Sequence, residues 1–193
     1  MAAGVPTIDQ LNARLTRLLP STAAFAETVY RSSTPKYANE NDLLTGEGSR
    51  RNGGRWNPIG IAAVYASLFP ETAMAETLAH YRYYGIPLQG AMPRTFIAIA
   101  VNLQAILDLR DGTVRRHLQV SLDRILTVDW RKEVHAGRVP ITQAIGCAAS
   151  QVGLEGLIAP SAADPKGHNL LVFPANLKQG SELRVLNANS LHS

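Results

Sequence analysis

The chain holds one cysteine, Cys147, among 193 residues. An intrachain disulfide is therefore excluded, and a reducing compartment is expected. Cys147 stands in the apolar stretch IGCAAS with no basic neighbour to activate it, so it reads as a buried, inert thiol rather than a nucleophile. The N-terminal segment MAAGVPTIDQLNARL lacks a basic region followed by an apolar run, and nowhere is there an apolar run of membrane-spanning length. No signal peptide and no membrane association are expected, which points to the cytoplasm. Internal repeats and low-complexity tracts are missing. So are the P-loop pattern and the G-x-G-x-x-G fingerprint after a strand, which excludes two common nucleotide sites. The five histidines and the cysteine show no metal-ligand spacing, so no metal is expected. No helix-turn-helix, zinc-finger or RNP pattern appears, and direct contact with nucleic acid is not expected.

What is present suits one compact domain. Hydrophobic residues make up 46% and charged residues 18%, enough to bury a core and too apolar for disorder. The net charge of +4 is compatible with an anionic partner or with simple solubility. Ile8, Leu11, Leu15 and Leu18 recur at helical spacing, so a short amphipathic helix is expected over 7–19. Strands are expected at 28–31, 61–67, 94–101, 155–159, 169–173 and 182–187. Helices are expected from Pro70 to about Tyr84, around 113–120, and over 140–152. The polar segment 33–54 reads as a long loop, a kind of segment that is usually functional inside a compact domain. Strands and helices mix without a regular βαβ rhythm, which indicates an α+β fold.

Residues 43–60, LLTGEGSRRNGGRWNPIG, carry the most chemistry. Arg50, Arg51 and Arg55 stand among Gly46, Gly48, Gly53 and Gly54. Glycine permits close backbone approach, and arginine offers a planar fork that matches phosphate oxygens. The segment is either a cradle for a pyrophosphate or a solvated turn. Glu76, in PETAMAETLAHY, shares a helix face with Ala73 and with Ala79 or His80. It is either a carboxylate that a neighbour can approach closely or a solvated helix residue. Tyr65, in AVYAS, either stacks on a flat ligand or belongs to the core.

The order Tyr30-Arg31, then GEGSRRNGGRWNPIG, then AVYAS, then a helical glutamate eleven residues beyond Tyr65, resembles the RES domain. The resemblance covers roughly residues 28–175. It implies a domain over 28–187 preceded by an N-terminal helical extension, 1–27. The implied fold is a single ADP-ribosyltransferase-like domain, a split β core with flanking helices and NAD⁺ in its cleft. The implied activity is that of a bacterial toxin degrading NAD⁺ at the nicotinamide–ribose bond. Phosphorolysis with inorganic phosphate as co-substrate would give nicotinamide and ADP-ribose-1″-phosphate. Transfer of ADP-ribose to a protein is the alternative, and a non-catalytic nucleic-acid binder is a remoter one. By position, Arg31, Arg55, Tyr65 and Glu76 match the catalytic residues. Arg31, Gly54, Arg55, Tyr65, Ser161 and Asn169 match the NAD⁺-binding residues. Glu76 would stabilise cationic character on the ribose, Arg31 and Arg55 would hold the pyrophosphate or phosphate, and Tyr65 would stack on nicotinamide. Ser161 would donate to a phosphate or to the carboxamide. The expected partners are an Xre-type antitoxin covering the cleft and a second copy in a homodimer.

Overall fold

The computed structural model describes residues 6–186. Helix α1 (Ile8–Leu18) begins at Thr7, whose hydroxyl accepts from Gln10 N while the Gln10 side chain returns to Thr7 N. This reciprocal cap satisfies two amides that a helix start otherwise leaves open. Leu11, Leu15 and Leu18 bury one face of α1 in the main core. The helix is therefore packed into the domain rather than appended to it, and a boundary at residue 27 falls inside strand β1 (Ala23–Ser33).

Among the described residues five more strands follow: β2 (Val64–Ser67), β3 (Thr95–Asp108), β4 (Gly156–Pro160), β5 (His168–Val172) and β6 (Glu182–Val185). They run in the order β1-β2-β5-β4-β3-β6, and β1 pairs also with β3. The β1–β3 ladder is long and antiparallel, from Ala23 opposite Ile106 to Ser33 opposite Thr95. β5 lies antiparallel between β2 and β4. The end of β3 pairs parallel with β4 at Ile106–Asp108. β1 meets β2 only at Tyr30 opposite Ser67. Two well-formed ladders are thus joined by one rung on this side, and the expected split of the β core lies there.

Both β1 and β3 run well past their expected ends, because each extends the other's ladder regardless of local propensity. The segment 33–54 corrects the expectation of an irregular loop. It contains helices α2 (Glu40–Leu44) and α3 (Glu47–Asn52). Asn39 caps α2 by accepting from Asp42 N, and Leu43 is its buried anchor. Gly46 starts α3 at φ 69°, where a Cβ would meet the Ala63 backbone 2.7 Å away.

Helix α4 (Pro70–Tyr83) follows β2, and the short α5 (Leu88–Ala91) precedes β3. Between β3 and β4 lie α6 (Gly112–Leu118), α7 (Leu122–Thr127), α8 (Trp130–His135) and α9 (Ile141–Gln151). They form the long crossover that a parallel pair requires. Helices α7 and α8, unassigned from sequence, are each capped by a side chain, Ser121 and Asp129. α9 is buried from Ile141 to Ala149. Its Gly146 lies against Trp56, where an added Cβ would come within 1.6 Å of the carbonyl oxygen. Cys147 is buried there, and burial pushes its thiol pKa up. A second core packs β1 and β3 against β2 and β5 through Val29, Ile99, Val64 and Leu170, with Leu43 of α2. No helix among the described residues is long and apolar enough to cross a membrane.

Candidate active site

Beside the single β1–β2 rung opens a cavity of about 380 Å³, a size suited to a small-molecule ligand. Its walls come from β1 (Tyr30, Arg31, Ser32), β2 (Tyr65, Ala66, Ser67) and the start of β5 (Asn169). α4 contributes Glu76, His80 and Tyr81, and Arg55, Trp56 and Arg94 also line it. Arg31, Arg55, Tyr65, Glu76 and Asn169 are thereby brought to one cavity, while Ser161 and Gly54 are not part of its wall.

Glu76 is held by one oxygen. Its Oε1 accepts from Ser161 Oγ at 2.7 Å and from Asn169 Nδ2 at 2.6 Å. The Asn169 amide is itself oriented, because its Oδ1 accepts from Ser67 Oγ at 2.7 Å. Ser161 Oγ accepts from Ala163 N and Asp164 N, so the serine turns its proton on Glu76. That proton was expected on a phosphate or carboxamide; the structure directs it to the carboxylate instead. The loop carrying Ser161 is pinned to the first turn of α4 by Thr72 Oγ1, which donates to Asp164 Oδ2 at 2.7 Å. Among the described residues, Oε2 of Glu76 has no hydrogen-bond donor.

The GGRWN block (residues 53–57) is a single interlock. Tyr65 OH donates to Asn57 Oδ1 at 2.6 Å and accepts from Trp56 N at 2.9 Å. Asn57 Nδ2 spends its donors on carbonyls of Ser49 and Ile61. A Cβ on Gly54 would sit 2.4 Å from the Tyr65 oxygen. The close approach expected of Gly54 is therefore to Tyr65, and the Gly54 carbonyl accepts from Gln143 Nε2 of α9. Burial pushes the Tyr65 phenol pKa up, against the hydrogen bonds to Trp56 and Asn57. The hydroxyl is thus a protonated structural pin, and the ring is the face left to the cavity. Trp56 is mainly core.

Three arginines line the cavity, and none forms an ion pair with a carboxylate among the described residues. Backbone carbonyls hold them instead. Arg31 Nη1 donates to Leu43 O at 2.8 Å. Arg55 Nη2 donates to Ile125 O at 2.7 Å and Leu126 O at 2.9 Å, at the end of α7. Arg94 donates from Nη2 to Ser32 O at 2.9 Å and from Nε to Ser32 Oγ at 3.0 Å. Carbonyls fix a guanidinium in place without cancelling its charge. Burial lowers the pKa of Arg31; Asp42 acts against this and Arg94 adds to it. Burial likewise lowers that of Arg55, with Glu76 the main opposing charge. Arg50 and Arg51, by contrast, face outward and pair with Glu47. The cradle of three loop arginines therefore reduces to Arg55.

Sequence reasoning missed Arg94, Ser67 and His80 as parts of this wall. Arg94 opens an expected strand, a weak signal. His80 lies one turn beyond Glu76, a spacing that does place it on the same face. Burial and the nearby charges of Arg131 and Arg94 lower the His80 pKa. Among the described residues no cluster of His, Cys, Asp and Glu could hold a metal ion.

The RES domain family model matches residues 28–191. A protein named Prs ADP-ribosylating toxin, from a Sphingobium species, is 34% identical over 147 residues, which is 76% of this chain and 82% of that protein. A protein named NAD(+) phosphorylase MbcT, from Mycobacterium tuberculosis, is 27% identical over 144 residues, 73% of this chain and 70% of that one. The crystal structure of the M. tuberculosis MbcT–MbcA toxin–antitoxin complex shares the fold. The TM-score is 0.70 at 24% identity, covering 92% of this chain and 91% of that chain.

Proposed function

The chain belongs to the RES domain family, and from that premise we propose that it is a toxin that breaks NAD⁺ at the nicotinamide–ribose bond by phosphorolysis. One observation carries the chemistry. Among the described residues, a carboxylate with one oxygen pinned and the other unbonded, Glu76, lines the same cavity as three guanidinium groups without ion pairs.

Nicotinamide is cationic in NAD⁺ and leaves as a neutral molecule with the electron pair of the C1″–N bond. Positive charge then develops on the ribose. A carboxylate held before the reaction stabilises that charge without reorganising, and Glu76 is held in this way by Ser161 and Asn169. The pinned oxygen sets its direction, and the unbonded one is left for the sugar or its hydroxyls. An oxygen of inorganic phosphate forms the new bond at C1″, giving ADP-ribose-1″-phosphate. The departing group needs no proton, so no general acid and no metal enter the scheme. Arg31 and Arg55 hold the anionic groups, and the Tyr65 ring lies beside the nicotinamide. Gly54 acts through Tyr65, by making room for its hydroxyl.

The partner proposed is an Xre-type antitoxin covering the cavity mouth, with a homodimer as the working assembly and the cytoplasm as the compartment. Direct nucleic-acid binding by this chain is not part of the scheme. Purified protein incubated with NAD⁺, with and without inorganic phosphate, tests the chemistry. Loss of NAD⁺ that accelerates with phosphate supports phosphorolysis, and loss indifferent to phosphate replaces it with hydrolysis. The second reading is ADP-ribosyl transfer to a protein, favoured by the name of the 34% identical relative. The same bond breaks in both, and only the nucleophile differs. Labelled NAD⁺ added to lysate separates them: label on a protein band supports transfer.

A further inference from the structure

Phosphorolysis of a dinucleotide needs two anions in one cavity: the pyrophosphate already in the substrate and the phosphate that attacks. Arg31 and Arg94 belong to one wall. Arg94 is tethered by two bonds to Ser32, the residue that follows Arg31 on β1. Arg55 belongs to another, tethered to the end of α7. The strongest outside charge on Arg55 is that of Glu76, whereas Arg31 feels Asp42 and Arg94.

Two guanidinium groups on one wall, fixed by carbonyls and the Ser32 hydroxyl and lacking carboxylate ion pairs among the described residues, repel one another until an anion lies between them. A diphosphate is the anion whose oxygens can meet both forks together. The reacting carbon lies near Glu76, so an attacking phosphate must sit at that end. The pyrophosphate is attached through the 5″ oxygen, on the far side of the ribose from C1″.

We propose that Arg94, paired with Arg31, is the seat of the substrate's pyrophosphate, and that Arg55 holds the attacking inorganic phosphate. The assignment rests on the NAD⁺ chemistry proposed above and divides its two anions between two walls. Arg94 thereby becomes a substrate-binding residue, and the Ser32 tether becomes the device that aims it.

Binding measured without turnover tests this independently of the reaction. ADP, and separately inorganic phosphate, are titrated by calorimetry into the wild type, Arg94→Gln and Arg55→Gln, with melting temperatures as fold controls. Arg94→Gln is expected to weaken ADP by about tenfold, the loss of one charged hydrogen bond, with phosphate affinity unchanged. Arg55→Gln is expected to weaken phosphate more than ADP. Wild-type ADP affinity in Arg94→Gln overturns the proposal, as does a larger loss for phosphate than for ADP. Failure of the wild type to bind ADP overturns it too, whatever the NAD⁺ assay gives. Arg94→Lys keeps a charge but loses the planar fork of donors. Retention of part of the ADP affinity lost in Arg94→Gln supports a charge role. Equal loss in both variants, together with a lowered melting temperature, assigns Arg94 to the scaffold of β1 and overturns the seat.

Discussion

Two glutamates of this protein are removed from bulk water to different ends. Glu155, just before β4, is fully buried, and its Oε2 accepts from Gln104 N at 2.6 Å and Ala105 N at 2.7 Å. Its Oε1 accepts from Lys178 N at 3.0 Å. Gln104 and Ala105 sit where the β1–β3 register slips, between Leu103 and Ile106. A bulge leaves amides without strand partners, and the Glu155 carboxylate takes them. Burial alone would push the Glu155 pKa up. The amide donors of Lys178, Gln104 and Ala105 outweigh it, and the group sits below its ordinary value. Among the described residues, Glu76 has side-chain donors on one oxygen, none on the other, and a cationic cavity in front of it. A carboxylate satisfied on both oxygens by backbone amides is a strut. A carboxylate satisfied on one side only is a tool.

That contrast breaks most sharply under substitution. Glu76→Gln should lose about 10²–10³ of NAD⁺ turnover, the usual cost of one preorganised electrostatic group, with an unchanged melting curve. A folded variant with wild-type turnover would falsify the mechanism. Glu155→Gln should do the reverse. It leaves buried amides facing an amide, at a cost of about 1–3 kcal/mol, and should lower the melting temperature by several degrees. Turnover per folded molecule should hold. If turnover falls while stability does not, Glu155 is no strut.

Asn169→Ala removes one of the two donors to Glu76 and should reduce kcat by roughly tenfold through that lost charged bond, with KM for NAD⁺ nearly constant. A change confined to KM would make Asn169 a binding residue instead. The next effect is one of pH. The unfolded chain binds the Glu155 proton at about pH 4.3, whereas the folded chain holds it off to lower pH. The contribution is therefore present above that value and lost as pH falls through the folded pKa. The stability gap between wild type and Glu155→Gln should accordingly narrow as pH falls below the unfolded value, read from melts at successively lower pH. A gap independent of pH removes the charge from the explanation. The smallest effect is expected at Glu47, half-buried at the surface and held to about 2 by hydrogen bonds from Arg50 and Arg51. Glu47→Ala should move neither turnover nor melting temperature, and a loss of turnover would return Arg50 and Arg51 to the site.

The difference between the glutamates also marks what was legible in the chain. Glu76 stood out through a family resemblance carried by the GGRWN block and its spacing to Tyr65, features local enough to read. Glu155 did not, because its meaning lies in a bulge fifty residues away on β3. The periodic helices α1, α4 and α9 were readable from their apolar faces or punctuation. α2, α3, α7 and α8 were not, since each is five or six residues long, too short for a periodic apolar face: α2 and α7 bury one residue each, Leu43 and Ile125, and α3 and α8 bury none. Arg94 and Ser67 acquire their place only when β1, β2 and β5 come together. The serine of APSAADPKGHN was found by resemblance, but its bond to Glu76 spans eighty-five positions, and no local pattern encodes that.

The single rung between Tyr30 and Ser67 makes the cavity a seam in the fabric of the sheet. A dinucleotide touching Arg31 on one edge and Tyr65 on the other would act as a suture across it. Substrate occupancy would then be written into the exchange rates of amide hydrogens along β1 and β2, so that the fold itself reports whether the cavity is loaded.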